Sequence, residues 1–536
     1  MKNILLTLLS AFLFSVPWFG LTSLTLFFAF VPLLFIQQRE EGKRFVWYCA
    51  LSFIFFNLFT VWWVWFSAPI GVFAATLAFT VLFTVVMAIY NRVWKKAKRA
   101  LAYTVFVSAW VAAEYLYLNG EISFPWLNLG NGFAIDIRLV QWYEYSGTLG
   151  GTLWVLVANI VIYEALSSAI AWYRGGCEGG IPRFCRFWIA PLVVIGLPAV
   201  VSLCMYSAYK EQGVPVEVAV LQPNVDPYKD KFSGMSQKEQ EDLLLELMAQ
   251  APLSVRYFVA PETALDNGFW IETLDRNRTI LRIRDFMKEN YPNSEFILGL
   301  TTYKRYDKSE YSSPPTETAR VKENLPYYYD IYNSAIQIDT SSVIPLYHKS
   351  RLVIGVEMLP YQKQLPFIKK WSVDLGGTSG MLGYQEEASV FPACNEEINV
   401  GTAICYESVY GEYFAGFVRK GARAMFVITN DGWWGDTFGY RQHFSYSRIR
   451  AVETRRSVAR SANTGISGFI NQRGEVVQRL GWDKRGILVG EVMLNEKETF
   501  YTKYGDTVGR AASYVFVLSL LYYIAYRRRK KDYLYE

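Results

Sequence analysis

The chain has 536 residues, of which 52% are hydrophobic, 17% aromatic and only 19% charged. This composition is too apolar for an ordinary soluble protein of this size, so it excludes a purely soluble enzyme and predicts membrane spans. The length allows two or three domains. None of the six cysteines forms a CxxC pair, so we expect no zinc or iron–sulfur site and no cofactor.

Long uncharged stretches dominate the first 209 residues. Ile4 to Ile36 and Phe45 to Tyr90 carry no charge, and each is long enough for two short spans, since about 20 residues cross a bilayer. Four further apolar stretches complete a prediction of eight spans: 101–118, 153–173, 188–209 and 511–526. The predicted domains are therefore a bundle of seven spans (1–209), a polar domain (210–510), and an eighth span with a basic tail (511–536).

Clusters of basic residues follow every second predicted span. They are Arg39 with Lys43 and Arg44, then Arg92 to Arg99, Arg174 to Arg186, and Arg527 to Lys531. Lys and Arg mark the cytoplasmic loops of membrane proteins, so both termini are predicted in the cytoplasm and residues 210–510 outside it. This topology explains the basic residues (net charge +6) without a nucleic-acid partner.

The spans also contain acidic and aromatic residues that need an interpretation. Glu114, Glu144 and Glu164 lie near predicted span ends, where they can reach the interface, so we assign them no chemistry. Trp62, Trp63, Trp65, Trp126 and Trp142 suit an aromatic belt at the membrane surface.

The domain 210–510 alternates strand-like and helix-like segments, which indicates packed sheets covered by helices. Strands are predicted over 216–221, 257–260, 295–300, 333–338, 399–404, 424–429, 457–462 and 467–471. Helices are predicted over 237–250, 271–289, 408–420 and 442–454, and the polar stretch 303–329 as a surface insertion.

Three residues with catalytic potential lie at the ends of predicted strands. They are Glu262 after 257–260, Lys349 after a β segment, and Cys405 where a strand changes into a helix. A carboxylate can take the proton of a thiol, and an ammonium can stabilise an oxyanion. The following helix is predicted to lower the pKa of the Cys405 thiol through its dipole; the alternative is that Cys405 is simply a small buried hydrophobic residue.

In this order, the three residues resemble the Glu-Lys-Cys triad of the nitrilase superfamily of carbon–nitrogen hydrolases. The neighbouring segments 221–224, 352–360, 429–435 and 463–465 are similar to that superfamily as well. The resemblance implies an α-β-β-α sandwich with Glu262 as general base, Lys349 as oxyanion stabiliser and Cys405 as nucleophile. It also implies supporting roles for Glu357, Tyr406 and Glu407, with the Tyr406 N–H as a second oxyanion donor.

Such a domain placed before the last of eight spans resembles the apolipoprotein N-acyltransferase family of the bacterial inner membrane. The resemblance implies transfer of an acyl chain from a glycerophospholipid to the N-terminal S-diacylglyceryl cysteine of an apolipoprotein, through a thioester on Cys405. Asn430, Trp433 and Trp434 are candidates for substrate binding. The family's usual Leu-Val-Pro-Phe-Gly-Glu-Tyr is replaced here by Leu352 to Met358, so we expect that loop to differ in shape from the family's.

Two alternative functions stay open at this point. A membrane-anchored amidase would use the same triad with water as the acceptor, and a transporter or receptor would use the outer domain only for binding. Cys394 lies in the same domain as Cys405, so a disulfide between them would block the nucleophile. We expect Cys405 to be a free thiol.

Overall fold

The computed structural model describes residues 1–40, 42–175, 180–228, 234–322, 324–361, 381–393 and 398–532. The chain divides into two compact units. The helical unit contains Met1–Trp65, Pro69–Tyr209 and Tyr504–Glu536, and the sheet unit contains Phe66–Ala68 and Lys210–Lys503. Cys405 is a free cysteine, as expected, and Cys394 lies outside the described residues.

The helices, in chain order, are α1 (Lys2–Ser15), α2 (Val31–Arg39), α3 (Lys43–Thr60), α4 (Pro69–Trp94), α5 (Arg99–Asn119), α6 (Tyr143–Arg174), α7 (Gly180–Ala208), α8 (Gln237–Met248), α9 (Arg278–Asn290), α10 (Gly411–Arg419), α11 (Phe438–Thr454), α12 (Phe500–Tyr504) and α13 (Thr507–Asp532). The strands are β1 (Val214–Gln222), β2 (Tyr257–Val259), β3 (Leu265–Trp270), β4 (Glu295–Asp307), β5 (Tyr327–Ile338), β6 (Leu346–His348), β7 (Val390–Pro392), β8 (Asn399–Ile404), β9 (Ala422–Thr429), β10 (Val458–Ala462), β11 (Ser467–Ile470), β12 (Val476–Leu480) and β13 (Gly486–Leu494).

In the described part of the chain, six helices are long and apolar enough to cross a membrane. They are Lys2–Phe19, Pro69–Trp94, Arg99–Asn119, Tyr143–Arg174, Phe184–Ala208 and Thr507–Arg529. The second predicted span corresponds to a shorter apolar helix, Leu24–Arg39, and the third to α3, which has 18 residues. The protein is therefore a membrane protein, and the number of eight crossings stays a prediction.

The interior of the helical unit contains a carboxylate whose position we predicted wrongly from the sequence. Glu114 has no exposed surface, whereas we expected it at the interface. Its carboxylate accepts hydrogen bonds from Trp110 Nε1 at 3.0 Å, from the Leu129 N–H at 3.0 Å and from Thr152 Oγ1 at 2.6 Å. Burial is tolerated because three donors from different segments replace water around the carboxylate.

The prediction of an aromatic belt is wrong for two of its tryptophans, and for the others it stays a prediction. Trp62 and Trp65 are exposed, but Trp63 and Trp126 are each 1% exposed. The rings of this second pair lie 5.1 Å apart, so these two tryptophans pack in the protein interior and cannot anchor it at a membrane surface.

Two sheets form the core of the sheet unit. Among the described residues, one sheet has the strand order β13-β1-β2-β4-β5-β6, with β3 on β4, and the other has the order β12-β11-β10-β9-β8-β7. Neighbours β1, β2 and β4 run parallel, as do β8, β9 and β10. Glu262 and Lys349 follow β2 and β6 of the first sheet, and Cys405 follows β8 of the second, so the catalytic candidates come from both sheets.

Alternate residues of β1 show how the layers stack. Val218 and Val220 pack in the core between the sheets, together with Val400, Ile404 and Val427 of the second sheet. Ala219 and Leu221 face the other way, into a core that includes Leu244 of α8 and Met287 of α9. Residues of α10 and α11, such as Phe414 and Phe444, cover the second sheet. The order of layers is helix, sheet, sheet, helix, as predicted.

All eight predicted strands are confirmed, but three predicted segments have other limits. The prediction of 303–329 as a surface insertion is wrong at both ends of the stretch. Strands β4 and β5 extend into it and pair as far as Asp307 with Tyr327. The predicted helix 408–420 is a 3₁₀ turn, Cys405–Val409, followed by α10. The predicted helix 271–289 is likewise a 3₁₀ turn, Ile271–Arg276, followed by α9.

Candidate active site

Glu262 follows β2 in a tight turn that lies against β4. A Cβ atom on Gly299 of β4 would lie 2.4 Å from the Pro261 carbonyl oxygen and 2.8 Å from Glu262 Cα. Thr263, the next residue, has φ +45°, a backbone conformation that residues other than glycine rarely adopt. The absent side chain of Gly299 therefore lets the turn sit close to the sheet, and Glu262 is 6% exposed.

Lys349 lies directly after β6, and two carboxylates surround its ammonium group. Its Nζ is 3.0 Å from Glu262 Oε1 and 2.8 Å from Glu357 Oε1, and the residue is 1% exposed. Burial alone would lower the pKa of the Lys349 ammonium, but Glu262 and then Glu357 raise it well above its usual value. Lys349 is therefore a permanent positive charge that can stabilise an anion.

Asn333 of β5 joins the same cluster, although sequence reasoning missed it. Its side-chain Nδ2 donates to Glu262 Oε1 at 2.8 Å and to Glu357 Oε1 at 3.1 Å. Its backbone carbonyl accepts from the backbone N–H of Lys349 at 2.8 Å. The other Glu357 oxygen, Oε2, accepts from the Val353 N–H at 2.8 Å. Lys349, Asn333 and the Val353 N–H together hold Glu357 in place.

Cys405 is the first residue after β8, and its environment differs from the predicted one. The turn that begins there has only five residues, so no long helix dipole acts on the thiol. Burial, and next the Glu262 carboxylate, raise the pKa of the Cys405 thiol well above its usual value, against the opposing charge of Lys349. The predicted lowering of this pKa is wrong, and a thiol of this kind needs a base to become a nucleophile.

The Glu407 carboxylate connects the cysteine turn to the lysine loop. Its Oε2 accepts from the Ile404 N–H at 2.7 Å, and its Oε1 accepts from the Ser350 N–H at 2.6 Å and from Tyr347 Oη at 2.6 Å. Burial raises the pKa of Glu407 to about 7, although these hydrogen bonds act in the opposite direction. The side chain has no exposed surface, so it acts on the chain around it and not on a substrate.

The other predicted residues lie around the three central ones. The Asn430 N–H donates to Glu262 Oε2 at 3.1 Å, so Asn430 positions the proposed base through its backbone. The Trp433 ring packs edge-on against Tyr228, 5.2 Å between centroids, and the Tyr406 ring packs against Tyr410 at 5.3 Å. Trp434 packs against His443, with centroids 5.5 Å apart. Their contribution to substrate binding stays a prediction.

A second buried cluster lies on the other side of Cys405. Ligand atoms of Cys405, Asp431 and His443 lie within 4.8 Å of one another, which is close enough to hold a metal ion. However, the Arg460 guanidinium lies 2.9 Å from both Asp431 Oδ2 and His443 Nδ1. A fixed positive charge at that place disfavours a divalent cation, so we interpret the cluster as a hydrogen-bonded network.

Comparison with known proteins agrees with the two units. The model of the apolipoprotein N-acyltransferase N-terminal domain matches residues 8–161, and the carbon–nitrogen hydrolase model matches residues 318–500. The chain is 25% identical over 496 residues to an apolipoprotein N-acyltransferase of Chlorobaculum tepidum, covering 90% of this chain and 88% of that one. It is 27% identical over 538 residues to one of Thermotoga maritima, covering 94% and 90%.

The chain belongs to the apolipoprotein N-acyltransferase family.

Among solved structures, the chain is similar to an amidase and to a protein of the CN-hydrolase superfamily. An amidase from Nesterenkonia sp. is 14% identical, covering 57% of this chain and 99% of that one, with a TM-score of 0.36. The protein XC1258 from Xanthomonas campestris is 11% identical, covering 52% and 91%, with a TM-score of 0.33. Within the apolipoprotein N-acyltransferase family, this chain combines a helical unit with a sheet unit that carries Glu262, Lys349 and Cys405.

Proposed function

We propose that the protein acylates the N-terminal S-diacylglyceryl cysteine of apolipoproteins on its α-amino group, with a glycerophospholipid as acyl donor. The observation that carries the proposal is the position of Lys349 between Glu262 and Glu357, beside a buried cysteine whose pKa is raised. Family membership supports the reaction type, and the site supplies the base, the nucleophile and the positive charge that this reaction requires.

In the first half-reaction, Glu262 takes the proton of the Cys405 thiol as the sulfur attacks the ester carbonyl carbon of the phospholipid. The tetrahedral oxyanion is stabilised by the Lys349 ammonium and the Tyr406 N–H. The carbon–oxygen bond to the glycerol then breaks, and the departing oxygen takes the proton from Glu262. The products are a lysophospholipid and an acyl thioester on Cys405.

In the second half-reaction, the α-amino group of the diacylated apolipoprotein attacks the thioester. Glu262 accepts a proton from the attacking amine, an amide bond forms, and the carbon–sulfur bond breaks. The proton returns to the Cys405 sulfur, so the enzyme is restored. This sequence requires that water be scarce at the site while the thioester exists.

Both substrates are lipids, which explains why the catalytic residues share a chain with membrane helices. Removing an acyl chain from a bilayer costs about 0.8 kcal/mol per CH₂ group. We therefore propose a multi-pass protein of the bacterial inner membrane with eight spans and both termini in the cytoplasm. Residues 210–510 lie on the outer side, and residues 511–536 form the last span and tail.

The experiment uses the purified full chain, a phospholipid with a defined acyl chain, and a synthetic diacylated lipopeptide. We expect mass spectrometry to find the acyl group on Cys405 before lipopeptide is added, and a triacylated lipopeptide afterwards. Cys405→Ala should show neither product. Turnover by Cys405→Ala would contradict the proposal, whereas release of free fatty acid without triacylated product would favour the amidase alternative.

A further inference from the structure

The carbonyl oxygen of Cys405 is held by two side chains. Ser408 Oγ donates to it at 2.7 Å, and His443 Nε2 lies 3.1 Å from it. Because a carbonyl can only accept a hydrogen bond, His443 must carry a proton on Nε2 to make this contact. Ser408 and His443 have no exposed surface, so water does not compete for either bond.

The His443 ring is fixed from its other side. Its Nδ1 lies 2.9 Å from Asp431 Oδ1 and 2.9 Å from Arg460 Nη2. Asp431 is itself held by Thr429 Oγ1 at 2.8 Å and by Arg460 at 2.9 Å. These groups come from β9, the turn after it, α11 and β10, so the imidazole position is determined by several elements of the second sheet and its covering helix.

The backbone that this network holds is strained. Cys405 has φ +51°, a left-handed conformation that is unfavourable for a residue with a Cβ. Such a conformation persists only when the surrounding structure fixes it. The two hydrogen bonds to the Cys405 carbonyl act directly on the peptide group that follows this strained residue.

The direction of the next N–H follows from the geometry of the peptide group. In a planar trans peptide, the carbonyl of Cys405 and the N–H of Tyr406 point in opposite directions. Anchoring the carbonyl toward Ser408 and His443 therefore fixes the direction of the Tyr406 N–H. A preorganised N–H donor is worth far more to an oxyanion than one that must reorient during the reaction.

We propose that His443 and Ser408 are positioning residues that, through the Cys405 carbonyl, aim the Tyr406 N–H at the oxyanion of each half-reaction. Arg460 donates to Nδ1 and so fixes the imidazole in this role, and Asp431 in turn holds Arg460. The inference rests on the proposed function, because it assigns these residues to the oxyanion of acyl transfer. It does not make His443 a base, since Glu262 has that role.

Two reactions of the same sulfur separate this role from a general structural one. Alkylation of Cys405 by iodoacetamide forms no oxyanion, whereas acylation by a phospholipid does. Both are measured on the full-length protein in detergent, for the wild type and for His443→Leu, His443→Gln and Ser408→Ala. Ser445→Ala is the matched control, because Ser445 also donates to a carbonyl three residues earlier, that of Gln442, at 2.7 Å.

We expect His443→Leu to slow acylation roughly 100-fold and Ser408→Ala roughly 10-fold, within the range known for lost oxyanion donors. Alkylation rates and the KM for phospholipid should change less than about twofold. His443→Gln, whose amide can donate to the carbonyl, should recover most of the acylation rate, and Ser445→Ala should behave as wild type.

Three results would overturn the inference. One is an equal fall in alkylation and acylation, which indicates a structural role, and another is unchanged acylation in both His443→Leu and Ser408→Ala. If His443→Leu does not fold, Ser408→Ala decides, because it removes only a hydroxyl. The third is that the wild-type protein gains no acyl group on Cys405. This result would reject the proposed function itself, whereas the first two would reject only the positioning role.

Discussion

The Glu407 carboxylate accepts a hydrogen bond of 2.6 Å from the backbone nitrogen of Ser350, the residue that follows Lys349. Its other oxygen accepts from the Ile404 N–H, directly before Cys405, at 2.7 Å. One buried side chain thus sets the spacing between the loop of the ammonium and the turn of the thiol. This link joins Ser350 and Glu407, which are 57 positions apart in sequence.

Glu407→Gln should therefore misplace Lys349 and Cys405 relative to each other. An amide has one acceptor oxygen, so one buried N–H loses its partner, at a cost of about 1–3 kcal/mol. If this cost falls on the transition state, turnover decreases roughly 10- to 100-fold. Lipopeptide acylation by the purified variant measures the effect, and turnover equal to wild type would show that the link is not needed.

The same variant tests the ionisation of Glu407. Its pKa is raised to about 7 in the folded protein, so between pH 5 and 8 the folded state binds more protons than the unfolded state. Stability from this group is present at low pH and decreases as pH rises through 7. The advantage in apparent melting temperature of wild type over Glu407→Gln should therefore shrink from pH 5 to pH 8. Glu246→Gln, at an exposed position of α8, should show no such trend.

The Cys405 thiol should respond in opposite directions to loss of its two charged neighbours. The Glu262 carboxylate raises the pKa of this thiol and the Lys349 ammonium lowers it. The pH midpoint of iodoacetamide alkylation should therefore fall in Glu262→Gln and rise in Lys349→Met, while both variants lose turnover. Shifts in the same direction for both variants would contradict the charge arrangement described here.

The close approach of β4 to the Glu262 turn gives a steric prediction. Gly299→Ala places a methyl group 2.4 Å from the Pro261 carbonyl oxygen, so the turn must move. Overpacking of this kind costs about 1–3 kcal/mol, and the displaced Glu262 should slow acylation at least tenfold. Gly481→Ala is the matched control, because its Cβ meets nothing within 4 Å. Equal activity of the two variants would refute the requirement for glycine at 299.

Glu114 should stabilise the helical unit without acting in the chemistry. Glu114→Leu leaves the donors of Trp110, Leu129 and Thr152 buried without their acceptor, each at about 1–3 kcal/mol. We expect a lower apparent melting temperature in detergent and faster proteolysis of the helical unit. Glu121→Leu, in the exposed loop after the same helix, should leave both properties close to wild type. A fully stable Glu114→Leu protein would show that the three donors find other partners.

The positions of Glu262, Lys349 and Cys405 could be predicted because a polar residue at the end of an apolar strand is a local pattern. The contacts of Asn333, His443 and Arg460 could not, because each depends on residues distant in sequence. Arg460 lies in the middle of β10 and is fully buried, although an arginine in a strand normally indicates a solvent-facing position. The acceptor that permits its burial, Asp431, is 29 residues away.

The extension of the β4–β5 hairpin was missed for a related reason. Lys304 and Arg305 gave the segment a polar pattern typical of a loop. In the structure these cations lie over tyrosine rings, Lys304 over Tyr306 at 5.3 Å and Arg305 over Tyr327 at 4.6 Å. Such contacts let charged residues occupy strands, and no single-sequence periodicity reveals them.

The antiparallel pairing of β1 with β13 joins the first and last strands of the sheet unit, with Val214 opposite Leu494. Val214, where the first strand begins, and Leu494, where the last strand ends, therefore lie about 5 Å apart in the direction of strand pairing. A module with adjacent ends can enter a polytopic chain at a single inter-helix loop without forcing the flanking segments apart.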